Sequence, residues 1–247
     1  MRFVGLFSFL LFGGFASGQL YNPGINQKLS DSEDAIDLVR TFQSFGTKAP
    51  NSQQSIETLN WLVGEYQDMG YSDIVIDSFM RNGTTFRNLI VTKQGSHSQY
   101  LIVCGHYDTR TGPGANDNGS GVSAILLAAN AIKDESTTRT VQFIHFDGEE
   151  LGFEGSLYHV DNLRKPIDSN LYCVLNIDQI GGTKGESGND KIYCERDEDN
   201  GVSSNNALSW AITDTLFNLC AIYTDLSPVI SKAFSSDYIP FEREGYV

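Results

Sequence analysis

Two periods run through the apolar positions of this chain, and the elements change where one gives way to the other. Ser30-x-x-Glu33 has the reciprocal spacing of a capping box and predicts a helix running to about Phe45. A second helical stretch covers residues 53–69 and stops at Gly70, a residue suited to the left-handed turn that ends a helix. Strand-like segments then follow at residues 74–79 and 86–92. Arg81-Asn82-Gly83-Thr84 lies between them, so these two strands are predicted to pair as a hairpin. Beyond the hairpin the apolar runs become continuous: "QYLIVCGHYD", residues 140–146 and residues 171–177. Helical stretches at 118–133 and about 152–162 separate them, and another covers about 204–221. Residues 191–195 read as a hairpin or edge strand. Unbroken Val/Ile/Leu strands alternating with helices predict an α/β fold, a mixed, mostly parallel sheet with helices on both faces. In such sheets ligands bind beyond the carboxyl ends of the strands.

Length and charge narrow the picture. The 247 residues, 40% of them hydrophobic, suffice for one full-sized core and one domain. A net charge of −14 repels nucleic acid and anionic membrane surfaces, so neither is an expected partner. The N-terminus carries Arg2, an apolar run from Phe3 to about Phe12, and small residues at Ala16 and Gly18. This is the three-part pattern of a secretory signal peptide over residues 1–18, cleaved before Gln19, which leaves 19–247 as the mature, secreted domain. The apolar run is too short and too broken by Gly to span a bilayer. Four cysteines, Cys104, Cys173, Cys194 and Cys220, show no C-x-x-C spacing, which argues against thiolate zinc. In a secreted chain they allow up to two disulfides, although Cys104 and Cys173 fit equally well as buried thiols. Asn82-Gly83-Thr84 is a glycosylation sequon in a turn; Asn118-Gly119-Ser120 has the same pattern but falls where a buried site is expected.

Three predicted strands end in side chains that bind metals. The first ends with His106 and Asp108, the second runs into Glu149 and Glu150, and the third into Asp178. Asp117 lies at the entry to the intervening helix. Each has an ordinary explanation when taken alone: Asp117 as a helix cap, Glu149 and Glu150 as first-turn acids favoured by the helix dipole. Together they collect at one sheet edge, where burying so many carboxylates is costly without a cation. One imidazole with several carboxylates suits zinc, cobalt or manganese, and the surplus of carboxylates suggests two ions sharing a bridge. Asp108, two residues from His106, is expected to accept the other ring N–H. His145 and His159 read as packing or surface residues, and His97 carries no role. No G-x-S-x-G elbow, phosphate-binding loop or H-E-x-x-H helix is present.

The segments "GHYDT", "GANDNGSG", "DGEELGFEGS", "NID" and "SSD" occur in this order. Together they resemble the secreted co-catalytic zinc aminopeptidases, the family of the bacterial leucyl and yeast vacuolar aminopeptidases, from about the first helix to the last residue. The resemblance implies a zinc-exopeptidase fold and two zinc ions per complete chain. His106, Asp117 and Asp178 would hold one ion, and Asp117 would bridge to a second held by Glu150. Glu149 would be the general base for the attacking water, Asp108 would orient His106, and the substrates would be peptide or protein N-termini. The family pattern has a further His ligand well after "SSD". Here the last His is His159, and Tyr238 follows Asp237 where many relatives carry His. The resemblance therefore implies a C-terminally incomplete copy, lacking the last strand and helix, with the Glu150 ion short of a ligand and a sheet edge uncovered. Competing readings are a single-zinc glutaminyl cyclase on a related scaffold and an inactive, receptor-like homologue.

Overall fold

The computed structural model describes residues 24–25, 35–163, 168–182, 190–198, 202–233 and 235–247. The expected signal peptide and the capping box at Ser30 and Glu33 lie outside them. In chain order the elements are α1 (Ala35–Ser44), α2 (Gln53–Asp68), β1 (Ile74–Arg81), β2 (Thr84–Lys93), β3 (Tyr100–His106), α3 (Gly119–Ile132), β4 (Thr140–Phe146), α4 (Glu154–Leu163), β5 (Leu171–Asn176), β6 (Lys191–Arg196), α5 (Asn206–Tyr223), β7 (Ser227–Lys232) and α6 (Ile239–Arg243).

Local chemistry accounts for several of these boundaries. α2 starts where the Ser52 hydroxyl accepts the Ser55 N–H at 3.1 Å. It ends where Gly70 takes φ +91° and the Tyr71 and Gly70 amides turn back to the Tyr66 and Gln67 carbonyls, the paired bonds of a Schellman end. Asn82 and Gly83 both have positive φ, 52° and 81°, which matches the right-handed twist of the β1–β2 hairpin.

The main sheet has the order β1-β2-β4-β3-β5. β2 runs antiparallel to both of its neighbours, while β3 is parallel to β4 and β5, so β2 alone opposes the direction of the other strands. Alternate residues feed two cores. Leu89, Val91, Leu101, Val103, Val141 and Phe143 pack with α2 and α3 on one face. Ile102, Cys104, Ile144 and Phe146 pack with Val160 of α4 and Phe241 of α6 on the other. This is the expected mixed, mostly parallel sheet, and both faces are covered. Phe143 is fully buried beside Tyr66 and Tyr71. Its truncation to Ala should cost about 3–5 kcal/mol.

Of the two readings of residues 191–195, the edge strand holds and the hairpin does not: β6 pairs in parallel with β7 in a separate two-stranded sheet. Parallel strands need a crossover, and α5 supplies it. β7 escaped the sequence reading because it is short, carries Pro228 and buries none of its residues fully. At the outer edge of β5, the Val174 N–H donates to the Val247 carbonyl at 2.6 Å.

Candidate metal centre

Strand register places the candidate ligands. His106 ends β3 opposite Phe146, the end of β4, and Cys104 lies opposite Asn176, the end of β5. Residues just past those ends, Glu149, Glu150 and Asp178, therefore emerge at the same sheet edge as His106. The Ile177 N–H continues the ladder to the Cys104 carbonyl at 2.8 Å. Asp117 arrives by another route. Asn118 is fully buried and caps α3 by accepting the Gly121 N–H at 3.0 Å, while its amide donates to the Ile177 carbonyl at 2.9 Å. That one side chain ties the start of α3 to the end of β5 and brings Asp117 beside Asp178. Its burial agrees with the expectation that this sequon lies inside the site. Gly148 makes the turn from β4 to the Glu pair at φ +81°, and a Cβ there would lie 2.5 Å from the Phe86 ring.

The imidazole, Asp117 and Asp178 converge. His106 Nε2 lies 3.2 Å from Asp117 Oδ1 and 3.5 Å from Asp178 Oδ1. One ligand atom from each of the three lies within 4.8 Å of the others. Nδ1 of the ring is turned the other way, 3.1 Å from the Asp108 carbonyl oxygen. The ring is buried, which by itself would hold its pKa down. The carboxylates of Asp108, Asp117 and Asp178 around it outweigh that and hold it well above the usual imidazole range. Asp178 Oδ1 is buried with no hydrogen-bond partner, while Oδ2 accepts the Ser236 hydroxyl at 2.8 Å. A buried imidazole nitrogen facing two carboxylate oxygens, one of them unsatisfied, is a donor set that calls for a cation.

Asp108 does more than the sequence suggested, and does it differently. Its carboxylate is fully buried and lies 3.5 Å from His106 Nδ1, but the carbonyl makes the closer contact with the ring. β3 has ended by residue 108, so strand alternation no longer governs where that side chain points. The carboxylate instead accepts two backbone amides, Glu149 N–H on Oδ1 at 3.1 Å and Glu150 N–H on Oδ2 at 3.3 Å. One residue thus positions both the imidazole and the Glu pair. Glu150 borders the site through its interaction with Asp117 and His106, without joining the close group of three. Burial pushes Glu149 up to about 8; the imidazole opposes this, and the carboxylates of Asp237, Asp178 and Asp108 add to it.

The other acids of the same stretch are occupied elsewhere. Asp147 is buried and accepts the Arg87 N–H at 3.0 Å, and Glu154 pairs with Arg81 at 2.7 Å. His145 bonds the Tyr66 hydroxyl at 2.9 Å, and His159 packs against Phe146 and Phe241, so of the two readings, packing or surface, both are packing residues. Sequence reasoning gave no role to Ser236, to Gln179, which donates to Asp117 Oδ2 at 3.1 Å, or to Asp237. Asp237 is fully buried and accepts the Ser156 hydroxyl at 2.6 Å. The "SSD" segment was the one sequence signal pointing to Ser236 and Asp237.

Residues 88–247 match the model of peptidase family M28. Among curated proteins, a probable leucine aminopeptidase 2 of Aspergillus oryzae is 35% identical over 44% of this chain and 22% of its own length. Aminopeptidase YwaD of Bacillus subtilis is 31% identical over 65% of this chain and 34% of its own. The chain thus spans between about a fifth and a third of these relatives' length. Among solved structures, the LapA aminopeptidase of Legionella pneumophila superposes with a TM-score of 0.72 at 22% identity, covering 90% of this chain and 61% of that one. A glutaminyl cyclase of Porphyromonas gingivalis gives 0.64 at 21%, covering 86% and 79%. At these identities the structural likeness is one of fold.

Proposed function

The chain belongs to peptidase family M28, and from that premise we propose that the protein is a zinc-dependent aminopeptidase hydrolysing the N-terminal bond of peptides or proteins. The observation that carries the reading is the convergence of His106 Nε2, Asp117 and Asp178 on one point, beside a Glu pair whose backbone is held by Asp108. The curated relatives above, both named aminopeptidases, support the same choice over the cyclase.

In this reading His106, Asp117 and Asp178 hold one zinc. Asp117 together with Glu150 would hold a second, two per complete chain. Zinc, when bound, supplies an acidified water and a polarised scissile carbonyl. The chain's own residues do the rest. The Asp108 carbonyl takes the Nδ1 hydrogen of His106 and so leaves Nε2 free as a ligand. Glu149 takes the proton of the attacking water at its carboxylate and returns it to the leaving amine. Burial first, and the neighbouring carboxylates after it, raise Glu149; a bound cation would oppose them and favour the ionised form that a base needs.

Export belongs to the same proposal: residues 1–18 are removed and 19–247 belongs to the catalytic domain. Among the described residues no helix is long and apolar enough to cross a membrane. The test is zinc per chain by atomic emission, with hydrolysis of an aminoacyl anilide by the complete natural protein. A peptide with N-terminal Gln separates the readings. Release of the free amino acid is expected, whereas release of ammonia without it would replace the peptidase with a cyclase.

A further inference from the structure

Away from the metal centre, two thiols meet. Cys194 lies in β6 and Cys220 in α5; both are free and buried, and their thiols lie within interaction reach of each other. Hydrogen bonds fasten the same two elements. The Asp197 N–H donates to Ser209 Oγ at 3.1 Å, Trp210 Nε1 donates to the Asp197 carbonyl at 3.3 Å, and Thr213 Oγ1 donates to the Glu195 carbonyl at 3.4 Å. The thiols are therefore held close by packing that does not depend on them. Both are buried and line a cavity of about 650 Å³ between β5, β6 and α5.

The other two cysteines are placed differently. Cys104 and Cys173 sit on neighbouring strands, but Cys104 packs into the α4/α6 core and Cys173 into the α2/α3 core. Opposite faces of a sheet point their Cβ atoms apart, so these two cannot be bridged. Among the four cysteines, Cys194 and Cys220 are the two whose side chains the fold brings into contact.

We propose that Cys194 and Cys220 form a disulfide that staples β6 to α5 when the protein meets an oxidising pool of glutathione-type disulfide. The Cys194 thiolate attacks one sulfur of the reagent disulfide and displaces one reagent thiol, which takes up a proton. The Cys220 thiolate then attacks the mixed disulfide at the Cys194 sulfur and displaces the second reagent thiol. Two protein thiols lose two electrons and two protons, and one reagent disulfide becomes two thiols. Cys194 is the natural attacker, since the Cys220 thiol beside it favours its thiolate. Closing the ring from residue 194 to 220 should raise the melting temperature by about 5–10 °C.

The test incubates the complete natural protein in an oxidised/reduced glutathione buffer, denatures it without reductant, alkylates it and maps its peptides by mass spectrometry. We expect alkylated Cys104 and Cys173 and a cross-linked Cys194–Cys220 peptide. Dithiothreitol should lower the melting temperature of the parent and leave that of a Cys194→Ser/Cys220→Ser double variant unmoved. Four alkylated thiols, or a cross-link that includes Cys104 or Cys173, would overturn the proposal. So would a double variant as sensitive to reductant as the parent. The peptide map of the parent decides the matter even if the variant does not fold.

Discussion

Replacing Asp108 with Asn removes a charge and one acceptor from a fully buried position while keeping its shape. The carboxylate accepts Glu149 N–H on one oxygen and Glu150 N–H on the other, and its Oδ1 also lies 3.5 Å from His106 Nδ1. An amide keeps a single acceptor oxygen and sets an NH₂ where the second oxygen stood, so donor faces donor at one of the two backbone bonds. A buried donor left without a partner costs about 1–3 kcal/mol, and the surviving bond loses its charge assistance. Expressed in the loaded site, that corresponds to a roughly 10–100-fold loss of zinc affinity, the size expected when a group supporting a metal ligand is removed. Turnover by the complete protein should fall by a similar factor, because the Glu149 backbone is no longer held. Zinc affinity is read by competition with a chelator, the fold by circular dichroism, and kcat with an aminoacyl anilide. A folded Asp108→Asn variant with zinc affinity and kcat within twofold of the parent would refute the reasoning. Asp117→Asn should lose more, because it strikes a ligand directly; the reverse order would show that the two roles are exchanged.

Glu149→Gln should retain zinc and lower kcat by about 10²–10⁴, the contribution of a general base, and activity within a factor of two would end that assignment. Glu150→Gln should instead lower zinc content, and equal zinc in variant and parent would move the ligand role elsewhere. His159 is buried with Nε2 unpartnered, and burial lowers its pKa to about 4. Its neutral form therefore contributes stability that is complete above the unfolded value near 6.5 and is lost as pH falls towards 4. Between those values the parent should lose about 1.4 kcal/mol per pH unit more than His159→Leu in urea unfolding. Parallel pH profiles for the two proteins would show that the imidazole is charged in the fold.

Some of this protein was legible residue by residue because its causes are local. Asn82-Gly83 makes its turn, Gly70 ends its helix, and continuous Val/Ile/Leu runs make strands buried on both faces, whatever lies elsewhere in the chain. The site residues were legible for a related reason. His106 ends its strand and Glu149, Glu150 and Asp178 follow the carboxyl ends of theirs, so a sheet that aligns those ends must gather them at one edge. What the sequence did not show depends on partners far away in the chain. The parallel pairing of β6 with β7 is set by α5, which lies between them. Ser236 reaches Asp178 across 58 positions, and Ser156 reaches Asp237 across 81. Asp108 was assigned to the imidazole by its spacing from His106, yet its carboxylate closes on amides 41 and 42 residues away. A periodic pattern records which way a side chain points along its own element. It carries no information about which donor from another element will meet that side chain, and only the packed sheet with its aligned strand ends settles that.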